Sequence, residues 1–391
     1  MHLLAHLPSM VRLQNRMGAF DNMKITQARL FSVDLPMRKP FMVSFGVIEF
    51  KRTIILELTD DTGLHGYGEC SAFDVPFYNE EFRDGAWELL SRQLLPLVVG
   101  KEFNSPDDIY SLFSFVRRNR MSKAAVNCAM WDLYAKEQNK PLAKVLGGTK
   151  TKVETGVSIG VQSSPQVLVE TVRGYIHDGY RRIKMKIKPG SDYKFIKAVR
   201  DEFPDAMLMA DANSAYRLTD VDMLKKLDGL GLIMIEQPLE PGDLVDHAKL
   251  QAQLKTAVCL DESVTSLDDA KKMVELGSGR IINIKVARVG GLTVAKQIQE
   301  YAAKQGIRCW CGGMLDSGVA RAENVAVATL PGYVLPNDIA ASERYYDQDI
   351  IKPTVALDGT YVDVPDKPGM GYDIDWNNMR RFCNKSLTIN S

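Results

Sequence analysis

Five consecutive apolar segments in the middle of the chain each end in a charged residue, and the segments follow one another at nearly constant spacing. The residues are Lys186, Asp211, Glu236, Asp261 and Lys285, at intervals of 25, 25, 25 and 24. A repeat of this length fits one strand, one helix and two loops. A charge at the end of an apolar strand is costly to bury unless it is paired or bound to a metal. Five such charges in consecutive units therefore indicate one shared site.

After Gly147 the chain alternates between short apolar runs and longer amphipathic stretches. Strands are predicted at 153–160, 182–187, 206–211, 232–236, 257–261, 281–285, 307–311 and 333–335. Helices are predicted at 165–177, 192–203, 219–228, 243–254, 267–276, 292–304 and 318–329. Eight strands alternating with seven helices favour a (β/α) barrel over an open sheet. The five charged residues would then meet at the rim formed by the C-terminal strand ends, where active sites of this fold lie.

The chain before the barrel follows a different pattern. Period-two alternation predicts antiparallel strands over about 24–70, with a hairpin turn at 59–63, and helical spacing follows over about 80–146. Strands followed by helices in separate blocks indicate an α+β domain. The predicted organisation is an N-terminal extension, disordered or loosely attached, over 1–22, an α+β domain over 23–148, the barrel over 149–349, and a segment over 350–391 that packs back on the first domain.

Composition limits the classes of partner. The 49 basic and 49 acidic residues give a net charge of zero, so there is no electrostatic case for nucleic acid or an anionic membrane. No apolar run reaches the length of a membrane span. The six cysteines are scattered, mostly in apolar contexts, which is typical of buried thiols in a reducing compartment. We therefore expect a cytoplasmic protein that acts on a small molecule.

The residue types at the shared site predict metal-assisted proton transfer. Three converging carboxylates repel one another, and a set without histidine or cysteine indicates Mg²⁺, with Mn²⁺ as a substitute. Lys184, Lys186 and Lys285 would offset the remaining negative charge, including that of a carboxylate substrate. A lysine whose pKa is lowered could remove the proton α to that carboxylate. Taken singly, each of these residues is more often a strand-end salt bridge, but the order lysine, three acids, lysine favours a common site.

These residues resemble motifs of the enolase superfamily. Lys184-Met185-Lys186 is similar to its KxK motif, and Lys285 resembles the strand-six lysine of its muconate lactonizing enzyme subgroup. Three further motifs resemble the metal-ligand motifs of that superfamily: Asp211-Ala212-Asn213, Glu236-Gln237-Pro238 and Asp261-Glu262-Ser263. The resemblance covers about residues 24–375. It implies a (β/α)7β modified TIM barrel with an α+β N-terminal capping domain that the C-terminal tail completes.

Within the subgroup, the chain resembles the o-succinylbenzoate synthase / N-acylamino acid racemase family. The stretches concerned are SFG at 44–46, GYGEC at 66–70, RIKMKIKPG at 182–190, IEQPLE at 235–240, KVARVGG at 285–291, WCGGM at 310–314 and LPNDIAAS at 335–342. The seventh strand lacks the histidine of the mandelate racemase pattern. Asp338-Ile339-Ala340 has one acid where dipeptide epimerases carry Asp-x-Asp, which weakens that reading.

The resemblance implies roles for the site residues. Lys186 would be the base, Lys285 the opposing cation, and Asp211, Glu236 and Asp261 the ligands of Mg²⁺. Lys184, Asn213 and Glu262 would support them, although for Asn213 and Glu262 strand-end hydrogen bonding is an equal alternative. The implied reaction is the dehydration that forms 2-succinylbenzoate in menaquinone synthesis, in a protein expected to be a homo-oligomer. Racemisation of N-acylamino acids by the same two lysines is the alternative, and a scaffold that has lost catalysis is a remote one.

Substrate contacts are expected from capping loops and strand ends. The candidates are Ser44, Phe45, Phe73, Tyr78, Ser158, Gly312, Gly313 and Met314. The capping-loop aromatics could equally be interdomain packing, and the Gly-Gly turn could either bind an anion through its amides or simply start a helix. Arg120 either reaches the rim or caps its helix.

Overall fold

The computed structural model describes residues 22–43 and 46–391. The extension predicted over 1–22 therefore lies outside the described residues apart from its last position, and so do Ser44 and Phe45. None of the described helices is both long and apolar enough to cross a bilayer.

The secondary structure begins with strands, continues as an alternation of strands and helices, and ends with short strands. The strands are β1 (Met23–Val43), β2 (Gly46–Asp60), β3 (His65–Cys70), β4 (Glu102–Phe103), β5 (Lys152–Glu154), β6 (Val157–Ile159), β7 (Arg182–Lys186), β8 (Met207–Asp211), β9 (Ile235–Glu236), β10 (Val258–Leu260), β11 (Ile281–Ile284), β12 (Arg308–Cys311), β13 (Ile351–Lys352), β14 (Tyr361–Asp363), β15 (Asp373–Ile374) and β16 (Cys383–Asn390). The helices are α1 (Arg83–Leu89), α2 (Leu95–Val98), α3 (Ile109–Leu112), α4 (Arg120–Glu137), α5 (Leu142–Leu146), α6 (Pro165–His177), α7 (Tyr193–Glu202), α8 (Val221–Leu227), α9 (Leu244–Gln251), α10 (Leu267–Leu276), α11 (Val286–Val289), α12 (Leu292–Lys304), α13 (Gly318–Ala328) and α14 (Trp376–Phe382).

The capping sheet contains both N-terminal and C-terminal strands. Its order is β16-β1-β2-β3, with β4 beside β1. Strand β16 runs antiparallel to β1, from the pair Gln27 and Asn390 to the pair Val33 and Cys383. The tail thus adds a strand to the cap, as the sequence led us to expect, while the domain boundaries at 148 and 349 stay predictions.

Glycines let the long helix α4 press against the capping sheet. A Cβ on Gly68 would lie 2.1 Å from the carbonyl oxygen of Ala125, and one on Gly66 would lie 2.2 Å from that of Ala129. No other residue type fits at such a close backbone approach. The GYGEC stretch is therefore a packing requirement of the cap.

The second part is a parallel barrel, which confirms the predicted fold class. Strands β6 to β12 form one sheet in chain order, and the pairs between them are parallel. Each of the seven predicted helices is present, with ends within three residues of the prediction. The interior is filled by a cluster of Met209, Met234, Ala257, Cys259, Ile281 and Trp310, which leaves the C-terminal rim for chemistry.

The first and last predicted barrel strands differ from the expectation. Residues 153–160 divide into β5, which pairs with the tail strand β14, and β6, which joins the barrel. Residues 333–335 form no regular strand. Instead, parallel bridges join Tyr333 to Cys309 and Asn337 to Thr155 and close the barrel. Pro336 lies in this segment and lacks a backbone N–H, so a continuous ladder cannot form there.

Candidate active site

The five charged residues of the repeat converge on the C-terminal rim of the barrel. Lys186, Asp211 and Glu236 are the last residues of β7, β8 and β9, and Asp261 and Lys285 directly follow β10 and β11. These strands are neighbours in this order in the sheet. The carboxylates therefore lie between two lysines, as their order along the chain requires.

The two carboxylates nearest Lys186 are buried and share cationic partners. The Nζ of Lys186 is 2.7 Å from Oδ2 of Asp211, and the Nζ of Lys184 is 3.4 Å from the same atom and 3.3 Å from Oε2 of Glu236. Burial opposes the charge of Asp211, but the two lysines hold its pKa below the ordinary value. For Glu236, burial and the charge of Asp211 raise the pKa. Asn283 also donates its side-chain N–H to Glu236, at 2.6 Å.

At the other end of the site, Asp261 is surrounded by donors from both parts of the molecule. Lys285 Nζ lies 2.8 Å from Oδ2 of Asp261, and the buried guanidinium of Arg288 contacts Oδ1. The hydroxyl of Tyr78, from the capping domain, is 3.3 Å from Asp261 Oδ1 and 3.2 Å from Lys285 Nζ. Burial alone would lower the pKa of Lys285, yet Tyr78 and the carboxylates of Glu262 and Glu236 raise it.

Arg288 was missed as a site residue by the sequence reasoning. Its signal was present in the stretch KVARVGG, because a residue three positions after Lys285 on the short helix α11 returns to the same side. The structure adds that Arg288 is fully buried and donates to the backbone oxygens of Val264 and Asn283 as well as to Asp261.

Lys184 lies below the rim on an aromatic floor. Its Nζ is 4.9 Å from the centre of the Trp310 ring, and the guanidinium of Arg182 is 5.0 Å from it, a distance at which cations are attracted to the ring face. Asp338 holds both cations, with Oδ2 2.6 Å from Lys184 and Oδ1 2.5 Å from Arg182. Against the effect of burial, Arg182 and Lys184 lower the pKa of Asp338. Ser158 donates to Asp338 at 3.1 Å.

Asn213 and Glu262 both lie beside the site. The side-chain oxygen of Asn213 contacts Lys186, and Asn213 has a left-handed backbone with φ of 39°. Glu262 is half-buried, burial raises its pKa, and its Oε2 has no hydrogen-bond partner among the residues described.

The remaining predicted substrate contacts lie in different surroundings. Phe73 packs against Tyr78, with ring centres 6.4 Å apart. Gly312 lies against Asn283, where a Cβ would be 2.3 Å from the amide oxygen, and Gly313 lies against the carbonyl of Asp338. Met314 is buried in the capping core, and its carbonyl accepts a hydrogen bond from Lys51 Nζ at 3.3 Å. For Ser44 and Phe45 the structure gives no placement.

The donor chemistry of the site fits a hard divalent cation. Asp211, Glu236 and Asp261 offer only carboxylate oxygens, and buried oxygens of Glu262 and Asn283 lack hydrogen-bond partners within the described part of the chain. Within residues 22–43 and 46–391, however, no three His, Cys, Asp or Glu side chains are arranged as a metal cage. The ammonium groups of Lys184, Lys186 and Lys285 contact the carboxylate oxygens.

The barrel, its cap and a rim of lysines and carboxylates define the class of enolase-like enzymes, and two family models match the chain. The mandelate racemase / muconate lactonizing enzyme N-terminal domain matches residues 25–147, and the enolase C-terminal domain-like model matches residues 167–378. The chain belongs to the enolase superfamily, in the family that contains o-succinylbenzoate synthases and N-succinylamino acid racemases, which confirms the resemblance read from its motifs.

Individual relatives cover most of the chain. It is 49% identical to an o-succinylbenzoate synthase of Geobacillus stearothermophilus over 90% of this chain and 93% of the relative. It is 45% identical to an N-succinylamino acid racemase of Thermus thermophilus over 89% of this chain and 94% of the relative. A crystal structure of an enolase superfamily member from Listeria innocua superposes with a TM-score of 0.92 at 44% identity, covering 94% of this chain and 99% of that one.

Proposed function

We propose that this protein is an o-succinylbenzoate synthase, which dehydrates 2-succinyl-6-hydroxy-2,4-cyclohexadiene-1-carboxylate to 2-succinylbenzoate. One observation carries the proposal: two lysines flank three buried carboxylates on five adjacent strands at the barrel rim. That arrangement fits proton removal next to a carboxylate, followed by stabilisation of the resulting anion. Relatives that are 44–49% identical and named o-succinylbenzoate synthase support this reaction.

In the proposed mechanism Lys186 acts twice. As a neutral amine it takes the proton from the ring carbon that bears the carboxylate, and the electron pair of that C–H bond moves into the carboxylate as an enediolate. The pair then returns to form the ring double bond while the C–O bond to the hydroxyl group breaks. Lys186, now an ammonium, gives its proton to the departing hydroxide on the same face, and water leaves.

Other residues hold the charge that develops. Asp211, Glu236 and Asp261 would hold Mg²⁺, which supplies a Lewis acid for the substrate carboxylate. Lys285, held by Asp261 and Tyr78, would face the anion as an ammonium from the other side. Lys184, fixed by Asp338 over Trp310, would add positive charge below the substrate. Phe73 and Tyr78 of the cap would cover the mouth and exclude water.

The alternative function is racemisation of N-succinylamino acids. One specific observation favours it, because Lys186 and Lys285 approach the carboxylates from opposite sides and a proton removed by one could be replaced by the other. The Thermus thermophilus relative carries this activity in its name. A scaffold without catalysis is disfavoured because all five residues are present and converge.

Several finer points belong to the same proposal. The metal would be Mg²⁺, with Mn²⁺ able to replace it, and the product would enter menaquinone synthesis in the cytoplasm. The substrate would be a small carboxylate, and the enzyme would form a homo-oligomer. The oligomer can be checked by light scattering of the purified protein.

One assay decides between the two reactions. Purified protein with Mg²⁺ is tested on the cyclohexadiene substrate, by the absorbance change on aromatisation, and on N-succinyl amino acids, by polarimetry. We expect dehydration, with or without racemisation. Racemisation alone would overturn the leading proposal.

Variants of the two lysines test the mechanism. Lys186→Ala should lower kcat of either reaction by about 10²–10⁴ because it removes the proton-transfer group. Lys188→Ala, which removes an exposed lysine two residues further on, is the matched control and should leave kcat unchanged. Lys285→Arg keeps a cation that cannot exchange protons, so dehydration should partly survive and racemisation should fail. Near-normal rates in Lys186→Ala would show that the assigned base is wrong.

A further inference from the structure

A basic cleft lies between the capping domain and the barrel, outside the site described above. It has a volume of about 270 Å³, and its lining includes Arg118, which precedes α4, and Arg120 and Lys123 in the first turn of α4. The opposite wall is formed by Ser266 to Asp268, after β10, and by Val289 and Gly290, after β11. These residues lie at the start of α10 and the end of α11, and none of the five charged rim residues lines the cleft.

The three cations of the cleft form no salt bridge with any carboxylate in the described part of the chain. Within the described part of the chain, none of Arg118, Arg120 and Lys123 forms an ion pair, and the only charge-neutralising residue in the lining is Asp268, whose carboxylate is 78% exposed and lies 3.9 Å from Lys271. Lys123 donates to the carbonyl of Val116 at 2.6 Å. Three like charges around one small cleft repel one another unless an anion joins them.

The nearby carboxylate of Glu81 does not fill this role, because it is already used to cap α4. Its oxygens accept hydrogen bonds from the backbone N–H of Met121 at 2.6 Å, the N–H of Ser122 at 2.9 Å and the hydroxyl of Ser122 at 2.8 Å. Glu81 is itself buried, with 4% exposure. The helix end is therefore satisfied, and the excess positive charge of the cleft is carried by side chains.

The three cations differ in backbone conformation and in burial, and Arg118 is exposed. Arg118 and Asn119 both have φ of 46°, a left-handed conformation that costs free energy for residues other than glycine. Arg120 and Lys123 are half-buried. Burial, together with the charge of Arg120, lowers the pKa of Lys123, and the nearby charge of Glu81 offsets this only in part.

We propose that this cleft binds a small oxyanion carrying two or more negative charges, of the phosphate-ester or polycarboxylate class. Arg118 and Arg120 supply planar guanidinium groups that can each bind two oxygens of such an anion, and Lys123 adds a point charge. The bound anion would join the start of α4 in the cap to the start of α10 and the end of α11 in the barrel. The site is independent of the proposed reaction, since it shares no residue with the rim.

The test is calorimetric titration of the full-length protein with inorganic pyrophosphate and, separately, with citrate, in metal-free buffer at constant ionic strength. We expect a Kd of about 1 mM or tighter for at least one of the two probes. Pyrophosphate alone would identify a phosphate site, and citrate alone a polycarboxylate site. The variants Arg118→Gln and Arg120→Gln should each weaken binding about tenfold or more, since each loses a charged hydrogen-bond donor.

Two controls keep the result specific. Arg117→Gln removes the same charge from an exposed neighbour that does not line the cleft, and it should bind as the wild type does. Lys186→Ala should also retain binding, which separates the cleft from the barrel mouth. Absence of binding at 10-fold higher concentration than expected would overturn the proposal. So would equal affinity in Arg117→Gln, Arg118→Gln and Arg120→Gln, with folding of each variant checked by its thermal midpoint.

Discussion

Replacing the buried Asp338 by asparagine should destabilise the protein far more than the same replacement of the exposed Asp358. Asp338 contacts Lys184 at 2.6 Å and Arg182 at 2.5 Å, and the side chains of those cations are only 7% and 1% exposed. Lys184 keeps two other carboxylates, at 3.3 and 3.4 Å. Arg182 keeps no ion-pair partner among the residues described, and its Nε has no acceptor. Removing one partner of a buried ion pair typically costs about 3–5 kcal/mol of the free energy of unfolding. Because asparagine retains one acceptor oxygen, we expect the lower end of that range.

Asp358 provides a matched control for this substitution. It pairs with Lys152 at 2.7 Å, nearly the same distance as in the buried pair, but the two side chains are 71% and 48% exposed. Asp358→Asn should therefore cause little or no change, because water screens an exposed pair. Urea denaturation followed by circular dichroism measures both variants. If Asp338→Asn lowers the free energy of unfolding no more than Asp358→Asn does, the reasoning is refuted.

The pH dependence of the stability difference between wild type and Asp338→Asn gives a second check. The pKa of Asp338 is lowered in the folded protein by Arg182 and Lys184, whereas in an unfolded chain an aspartate titrates near about 3.9. The contribution of Asp338 to the free energy of unfolding is therefore fully present above about pH 5. It is lost as the pH falls through the pKa of the unfolded state and then through the lower pKa of the folded state. The difference between wild type and Asp338→Asn should be constant from neutral pH to about pH 5 and should shrink below about pH 4.

Three further predictions follow from the site and its support. Tyr78→Phe removes the hydroxyl shared by Asp261 and Lys285 and should lower kcat/KM about tenfold with an unchanged thermal midpoint; unchanged steady-state kinetics would exclude a role for the hydroxyl. Gly68→Ala places a methyl group 2.1 Å from a backbone oxygen of α4 and should cost more than about 2 kcal/mol in denaturant titration, whereas Gly160→Ala, with nothing within 4 Å, should not. Addition of Mg²⁺ to metal-free enzyme should restore activity and raise the thermal midpoint, because Mg²⁺ at 100 times its Kd adds about 2.7 kcal/mol to the free energy of unfolding. Asp211→Asn should reduce that rise of the thermal midpoint. An equal rise in the variant would place the metal elsewhere.

Regular periodicity made most of the barrel predictable. Charges at the ends of apolar runs located five strand ends, because strand length and helix length are nearly constant in this fold. The eighth strand was mispredicted because Pro336 interrupts hydrogen bonding that the apolar pattern cannot reveal. The first was mispredicted because residues 152–154 pair with a tail strand more than 200 positions away.

Contacts between distant parts of the chain were beyond sequence reasoning at the site. Tyr78 reaches Asp261 across 183 positions, so its hydroxyl could be proposed only as one of several capping-loop contacts. The sequence analysis used Asp338 only as the single acid of Asp338-Ile339-Ala340. Its partners Arg182 and Lys184 lie on the distant strand β7. Such pairings depend on how strand ends meet around the rim, and a local pattern of residue types does not contain that information.

The capping sheet also sets an order for folding during synthesis. Gln27 and Asn390, which pair at the edge of this sheet, are 363 positions apart, so the ribosome makes the whole barrel between them. The barrel strands, in contrast, pair with neighbours made shortly before. Since contacts of long sequence separation form late, the barrel can assemble on the nascent chain before β16 has been made and can pair with β1. The covered active site would thus be the last part of the molecule to mature.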